Sequence, residues 1–260
     1  MTPNEKNNLN LYLYAEEIAQ KLFTDYSKHE EFYINYVADL IMNNDMYEDR
    51  LQMTPAQARK EKNKIKKKIK QDGNAQALRN IATFTDFLKG VIKKVFGNYN
   101  YNPKQIDVKK LINKSWKGKK FSDRIWNNER ATAYKLYKDL KRFIDGEISA
   151  NKIKSNIYNT FGNSKFNTRR LVKTEVARVS NNAFEVFGRE MGVKEVRYNA
   201  AFDHTCPQCS KRHGEVYKFK DRPELPAHPQ CNCFYEVYDY LKDDKEDNKK
   251  NDKKWVIRTY

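Results

Sequence analysis

The sequence predicts an α+β protein, with a mostly helical region over about residues 1–192 followed by a small β-rich module pinned by cysteines. Three observations carry this expectation. Apolar residues recur at three- and four-residue steps through most of the chain. After Gly192 the pattern changes to short alternating runs rich in β-branched and aromatic residues. All four cysteines lie between Cys206 and Cys233.

The helices follow in order. Asn10 is placed to cap a helix bearing Leu11, Ala15, Ile18, Leu22 and Tyr26. After a break expected near His29, the apolar series resumes with Phe32, Tyr33, Tyr36, Val37, Leu40 and Ile41. Thr54-Pro55 supplies an N-cap followed by proline at the first helical position. The stretch Lys60 to Lys70 then carries only Ile65 and Ile69 as an apolar stripe, and Asp72-Gly73 is expected to stop it. Leu78, Ile81, Phe84, Leu88, Ile92 and Val95 form the next amphipathic series, ended by Gly97.

Residues 98–103 read as a turn-rich linker. A short helix through Val108, Leu111 and Ile112 follows, then a longer one from Phe121 with Ser122 as expected cap and Gly146 as stop. Ile153, Ile157 and Phe161 mark a short helix closed by Gly162. Thr168 is the expected cap of a last helix running to Met191-Gly192. Strands are expected at 195–198, 216–219 and 234–238, and disorder in the charged tail 241–260. The domain reading is a helical arm over 1–104, a cysteine-containing domain over 105–240, and the tail.

Charge narrows the function classes. The chain carries 51 Lys+Arg against 34 Asp+Glu in 260 residues, a formal net charge of +17. Residues 1–50 hold 4 basic and 10 acidic side chains, residues 51–200 hold 35 and 13, and residues 201–260 hold 12 and 11. A basic middle points to a polyanion such as double-stranded DNA. Lys60, Lys62, Lys64, Lys66, Lys67, Lys68 and Lys70 are the candidate contacts. The structural alternative is a solvated helix, since abundant Lys and Asn also follow from a biased base composition. No stretch approaches the roughly 18–20 apolar residues of a membrane span. No apolar leader opens the chain, and a disulfide scaffold needs cysteines spread along it. Membrane, disulfide-rich secreted and collagenous classes are therefore not expected.

The cysteines carry the sharpest signal. Cys206 and Cys209 form a CxxC, and Cys231 and Cys233 a CxC after 21 intervening residues, with His228 three before Cys231. A CxxC knuckle turns two thiolates toward one ion, and a two-strand hairpin can return a second pair. Four of Cys206, Cys209, Cys231, Cys233 and His228 are thus expected to hold a structural Zn²⁺. The set is either the four cysteines, or Cys206, Cys209 and His228 with one of Cys231 and Cys233. Two local disulfides or plain buried thiols are the alternatives. A Cys206–His228 nucleophile pair is a further one. Asp203 and Glu215 lie close enough in sequence to serve a catalytic metal, but no HExxH or deaminase pattern accompanies them.

At these residues the sequence resembles the phage head morphogenesis family, the Mu F-like minor head proteins of tailed bacteriophages. Phe121 to Asn128 looks like the family's "fSdRIW.n" helix start, and Arg170 to Val179 like its "rLvrTE.aRv" helix. Ala200 to Cys209 resembles the "a..D..TC..C" knuckle, Gly214 to Phe219 "dG..y.f", and Pro226 to Cys233 the "P.HP.CrC" closure. Lys173, Asn232 and Arg212-His213 depart from the family pattern. The resemblance covers roughly residues 105–240. It implies a non-enzymatic minor capsid protein acting in prohead assembly at the portal vertex. Its expected partners are the portal protein, other capsid components and packaged DNA. Its expected place is the virion, reached from the bacterial host cytoplasm. The resemblance also implies structural roles for Thr174, Glu175 and Asp203. The rival functions are a DNA-binding internal protein delivered with the genome, and a metal-dependent nuclease or toxin.

Overall fold

The computed structural model describes residues 2–104, 106–200 and 205–238. Four long helices form the body: α1 (Pro3–Met42), α2 (Pro55–Asn98), α4 (Phe121–Ile144) and α5 (Ala150–Glu190), with the short α3 (Val108–Asn113) before α4. At 1.5 Å per residue, the 40 residues of α1 span about 60 Å. A three-stranded antiparallel sheet follows, ordered β4 (Val216–Lys218), β3 (Glu195–Asn199), β5 (Phe234–Val237), with the single-turn α6 (Pro207–Lys211) between β3 and β4. The α+β expectation and the three strand positions agree with this architecture. The expected disordered tail lies outside the described residues.

The helix ends show which local signals decide. Thr54 caps α2 with Pro55 behind it, as expected, and exchanges capping-box hydrogen bonds with Gln57. Gly146 and Gly192 follow α4 and α5 with φ of +71° and +66°, values that favour glycine. Three expected breaks are absent: α1 runs through His29, α2 through Gly73 and α5 through Gly162. A helical glycine costs only about 1 kcal/mol relative to alanine, which packing along a long helix readily outweighs. The caps move accordingly, from Asn10 to Thr2, from Ser122 to Lys120 and from Thr168 to Ser149.

A hairpin of β1 (Asp45–Tyr47) and β2 (Arg50–Gln52) has no counterpart in the expected elements. Its turn residues Glu48 and Asp49 have φ of +48° and +60°. Such a turn usually announces itself as Asn-Gly or Asp-Gly, so Glu-Asp concealed it.

Two apolar clusters fill the interior. One joins the N-terminal half of α1, the C-terminal halves of α2 and α5, α3, the start of α4, the sheet and the cysteines. The other joins the opposite halves of α1, α2, α4 and α5 around Tyr33, Ile65, Leu140 and Ile153. Residues on both sides of position 104 thus share each core. Between the clusters lies a buried polar layer, in which Asn80 donates to Tyr26 and to Glu129, and Thr168 donates to Tyr26.

The stripe of Ile65 and Ile69 is buried, as its spacing predicts. Around it, Lys62 pairs with Asp145, Lys64 with Glu61 and Lys68 with Asp72. Lys64, Lys66 and Lys68 lie over the rings of Tyr36, Tyr137 and Phe32. Lys60, Lys67 and Lys70 are exposed.

Candidate metal centre

Each arm of the centre is built by a local device. Cys206 caps α6, with Pro207 at the first helical position, and its Sγ accepts from the Cys209 N–H at 3.4 Å. The single turn therefore holds both thiols of the CxxC on one side. The second arm runs from the end of β4 to the start of β5 as an extended loop. Within it Cys231 N–H donates to the His228 carbonyl at 3.2 Å, and Gln230 takes a left-handed φ of +62°.

The two arms meet. His228 Nε2 lies 3.2 Å from Cys206 Sγ and 3.4 Å from Cys209 Sγ, and Cys209 Sγ lies 4.0 Å from Cys231 Sγ. Cys206, Cys209 and His228 form one group with donor atoms within 4.8 Å of one another, and Cys209, Cys231 and Cys233 form a second. Tetrahedral coordination with metal–sulfur bonds near 2.3 Å places sulfurs roughly 3.8 Å apart. All five residues expected from the sequence therefore come together, with Cys209 common to both groups, and they can hold a metal ion.

The imidazole is already oriented for this. His228 Nδ1 lies 2.9 Å from the Pro229 carbonyl, a partner that requires Nδ1 to carry the proton. The Nε2 lone pair of the neutral ring then faces the thiols, which is how a backbone acceptor usually fixes a ligating histidine. Cys209, Cys231 and Cys233 are buried, and Cys206 is partly so.

Crowding splits the thiol acidities. The Cys233 hydrogen bond holds the Cys231 thiol down at about 5, and the same contact together with burial pushes Cys233 up. Burial raises Cys209 to about 11. At Cys206 burial is outweighed by hydrogen bonds from Cys209 and by the His228 charge, so its thiol is lowered. Burial likewise opposes protonation of His228, but the Pro229 carbonyl and the Cys231 and Cys206 thiolates raise it. Such close donors repel one another as thiolates unless a cation lies among them.

The loop that carries His228 has few hydrogen bonds of its own. Its backbone is held from three directions. Trp116 Nε1 donates to Pro226 O at 3.1 Å, and Lys117 Nζ to Ala227 O at 3.3 Å. Thr174 Oγ1 on α5 accepts from Gln230 N–H at 3.0 Å. From α1, Tyr12 OH donates to Cys231 O at 3.4 Å and Asn8 Nδ2 to Asn232 O at 3.1 Å. Of these side chains, only Thr174 lies in a segment that resembles a family motif. The others lie 110 or more positions from their partners, and no sequence signal links them.

Glu175 is fully buried and takes a 2.6 Å hydrogen bond from Arg178 Nε. Burial raises its carboxyl, and Arg178 and then Arg124 oppose that rise. Arg178 in turn donates to the Leu111 and Ile112 carbonyls, tying α3 to α5. Asp203 and His204 lie outside the described residues. Glu215 accepts a hydrogen bond from Tyr217 OH. The basic stretch Lys60–Lys70 borders the second apolar cluster, not the one containing the cysteines.

Compared with known proteins, the chain matches no family model, no curated protein and no solved structure. No helix among the described residues is long and apolar enough to cross a membrane.

Proposed function

We propose that this chain is a structural minor head protein of a tailed bacteriophage, in which a zinc centre fastens the C-terminal module to a helical body. One observation carries the reading. Segments resembling the head morphogenesis family, spread from Phe121 to Cys233, gather around one centre. Arg124 donates to the Trp116 carbonyl, and Trp116 donates to Pro226. Thr174 holds Gln230, and the 226–233 segment closes on Cys206 and Cys209.

Zinc fits the donor set because sulfur and imidazole are its usual ligands. A catalytic zinc keeps an open position for water or substrate. Here five donors crowd the centre and three of the thiols are buried, which favours a structural role. The proposed place is the capsid interior or portal vertex, with the portal protein as principal partner. The exposed Lys60, Lys67 and Lys70 form the surface offered to packaged DNA.

The test has two independent parts. Particles produced from the genome encoding this chain are separated on a density gradient and analysed by mass spectrometry. The chain is expected in DNA-filled heads, at low copy beside the major capsid protein; absence from every particle fraction overturns the assembly role. Elemental analysis of the reduced, purified chain is expected to find zinc. A metal-free result, with Cys209→Ser melting like the parent, overturns the centre.

A further inference from the structure

Beside the His228 loop, which borders it at Pro229, the first turns of α4 and the middle of α5 line a cleft of about 250 Å³. Its lining includes the cations Lys119, Arg124 and Arg170 and the carboxamides of Asn127, Asn128 and Asn167, but no Asp or Glu. The geometry points to a binding site here for a phosphate-class oxyanion, either inorganic phosphate or the terminal group of a phosphate monoester.

The lining chemistry selects the ligand. Three cations without a lining carboxylate leave a local excess of positive charge, which a dianion balances better than a monoanionic carboxylate. Carboxamide N–H groups supply further donors for the remaining oxygens. Arg124 is already positioned: its guanidinium lies 5.1 Å from the Trp116 ring and donates to the Trp116 carbonyl. Its Nε is buried without a hydrogen-bond partner among the described residues. The nearby carboxylate that acts on Arg124, Glu175, is itself bound by Arg178 at 2.6 Å. Arg170 and Lys119 are exposed, so a ligand reaches them from solvent. The volume lies below the roughly 300 Å³ at which pockets for drug-sized ligands begin. It therefore suits a small anion or a single end group.

The experiment uses the full chain at constant ionic strength maintained with chloride. Inorganic phosphate, adenosine 5′-monophosphate and acetate are titrated by calorimetry. Phosphate is expected to bind and acetate to bind at least about tenfold more weakly, the loss expected when charge-assisted hydrogen bonds go unmade. Binding of the monophosphate as tightly as free phosphate identifies an ester end group as the ligand. Markedly weaker monophosphate binding identifies free phosphate. Arg170→Glu and Lys119→Glu each reduce phosphate affinity about tenfold with an unchanged melting temperature in chloride. Lys154→Glu, the same charge change on the exposed first turns of α5, leaves it unaltered. No phosphate binding beyond chloride overturns the site. So does monophosphate binding without phosphate binding, or an equal loss in Lys154→Glu, which marks diffuse attraction to a basic surface. Zinc content is independent of these readouts, so failure here is separable from failure of the metal centre.

Discussion

Glu129 sits between the two apolar clusters, only 5% exposed, where Tyr26 OH and Asn80 Nδ2 both donate to its Oε1. Burial dominates, raising its carboxyl from 4.5 to about 7 against those two hydrogen bonds. The folded state therefore binds a proton more tightly than the unfolded chain. Its contribution to stability is fully present below about pH 4.5 and is lost as pH rises through about 7. The range corresponds to about 3 kcal/mol at most. Urea midpoints of the parent chain are expected to fall between about pH 5 and 8, while Glu129→Gln flattens the fall and is the more stable protein at the alkaline end. Equal pH dependence in both proteins would show that other groups set it.

At the scale of elements, glycines in α5 have opposite surroundings. A Cβ at Gly188 would meet Phe219 Cε2 at 2.3 Å, because the end of β4 lies directly on the helix. A Cβ at Gly162 would meet nothing within 4 Å. Gly188→Ala is accordingly expected to destabilise by about 1–3 kcal/mol through overpacking. Gly162→Ala is expected to stabilise by about 0.5–1 kcal/mol, by removing chain entropy from a helix interior. Denaturant midpoints at constant slope measure both. Stabilisation by Gly188→Ala would mean that Phe219 is free to move off α5.

The whole molecule couples the centre to its most distant segment. Asn8 and Tyr12 reach the loop 224 and 219 positions away, and the cysteines belong to the same apolar cluster as Leu11 and Ala15. Ligand removal in such an arrangement is a folding event as well as a chemical one. If the centre holds the proposed metal, removing it with a chelator is expected to lower the melting temperature of a single cooperative transition. It is also expected to speed amide exchange in the first three turns of α1, along with the two thiol arms. Unchanged exchange in α1, with faster exchange confined to 205–233, would uncouple the helix from the centre.

Much of this was legible locally. The spacing of Cys206, Cys209, His228, Cys231 and Cys233 identified the donors, because a CxxC knuckle is short-range geometry. The expected two-strand hairpin did not return the second pair: β4 and β5 both pair with β3, and an extended loop joins them. Periodicity identified most of the helical faces and the three strands, although Phe32 and Leu78, read as members of the inward series, are exposed. Thr54-Pro55 marked one helix start outright. Tertiary structure decided what is paid for over long distances. Packing carried α1, α2 and α5 through sites that local signals read as breaks. It also chose Asn8, Tyr12 and Trp116 to hold the ligand loop. Those contacts have no sequence signature, because a side chain's distant partner is fixed only when helices pack. The donors were therefore written in neighbouring residues, while their support arose from the fold.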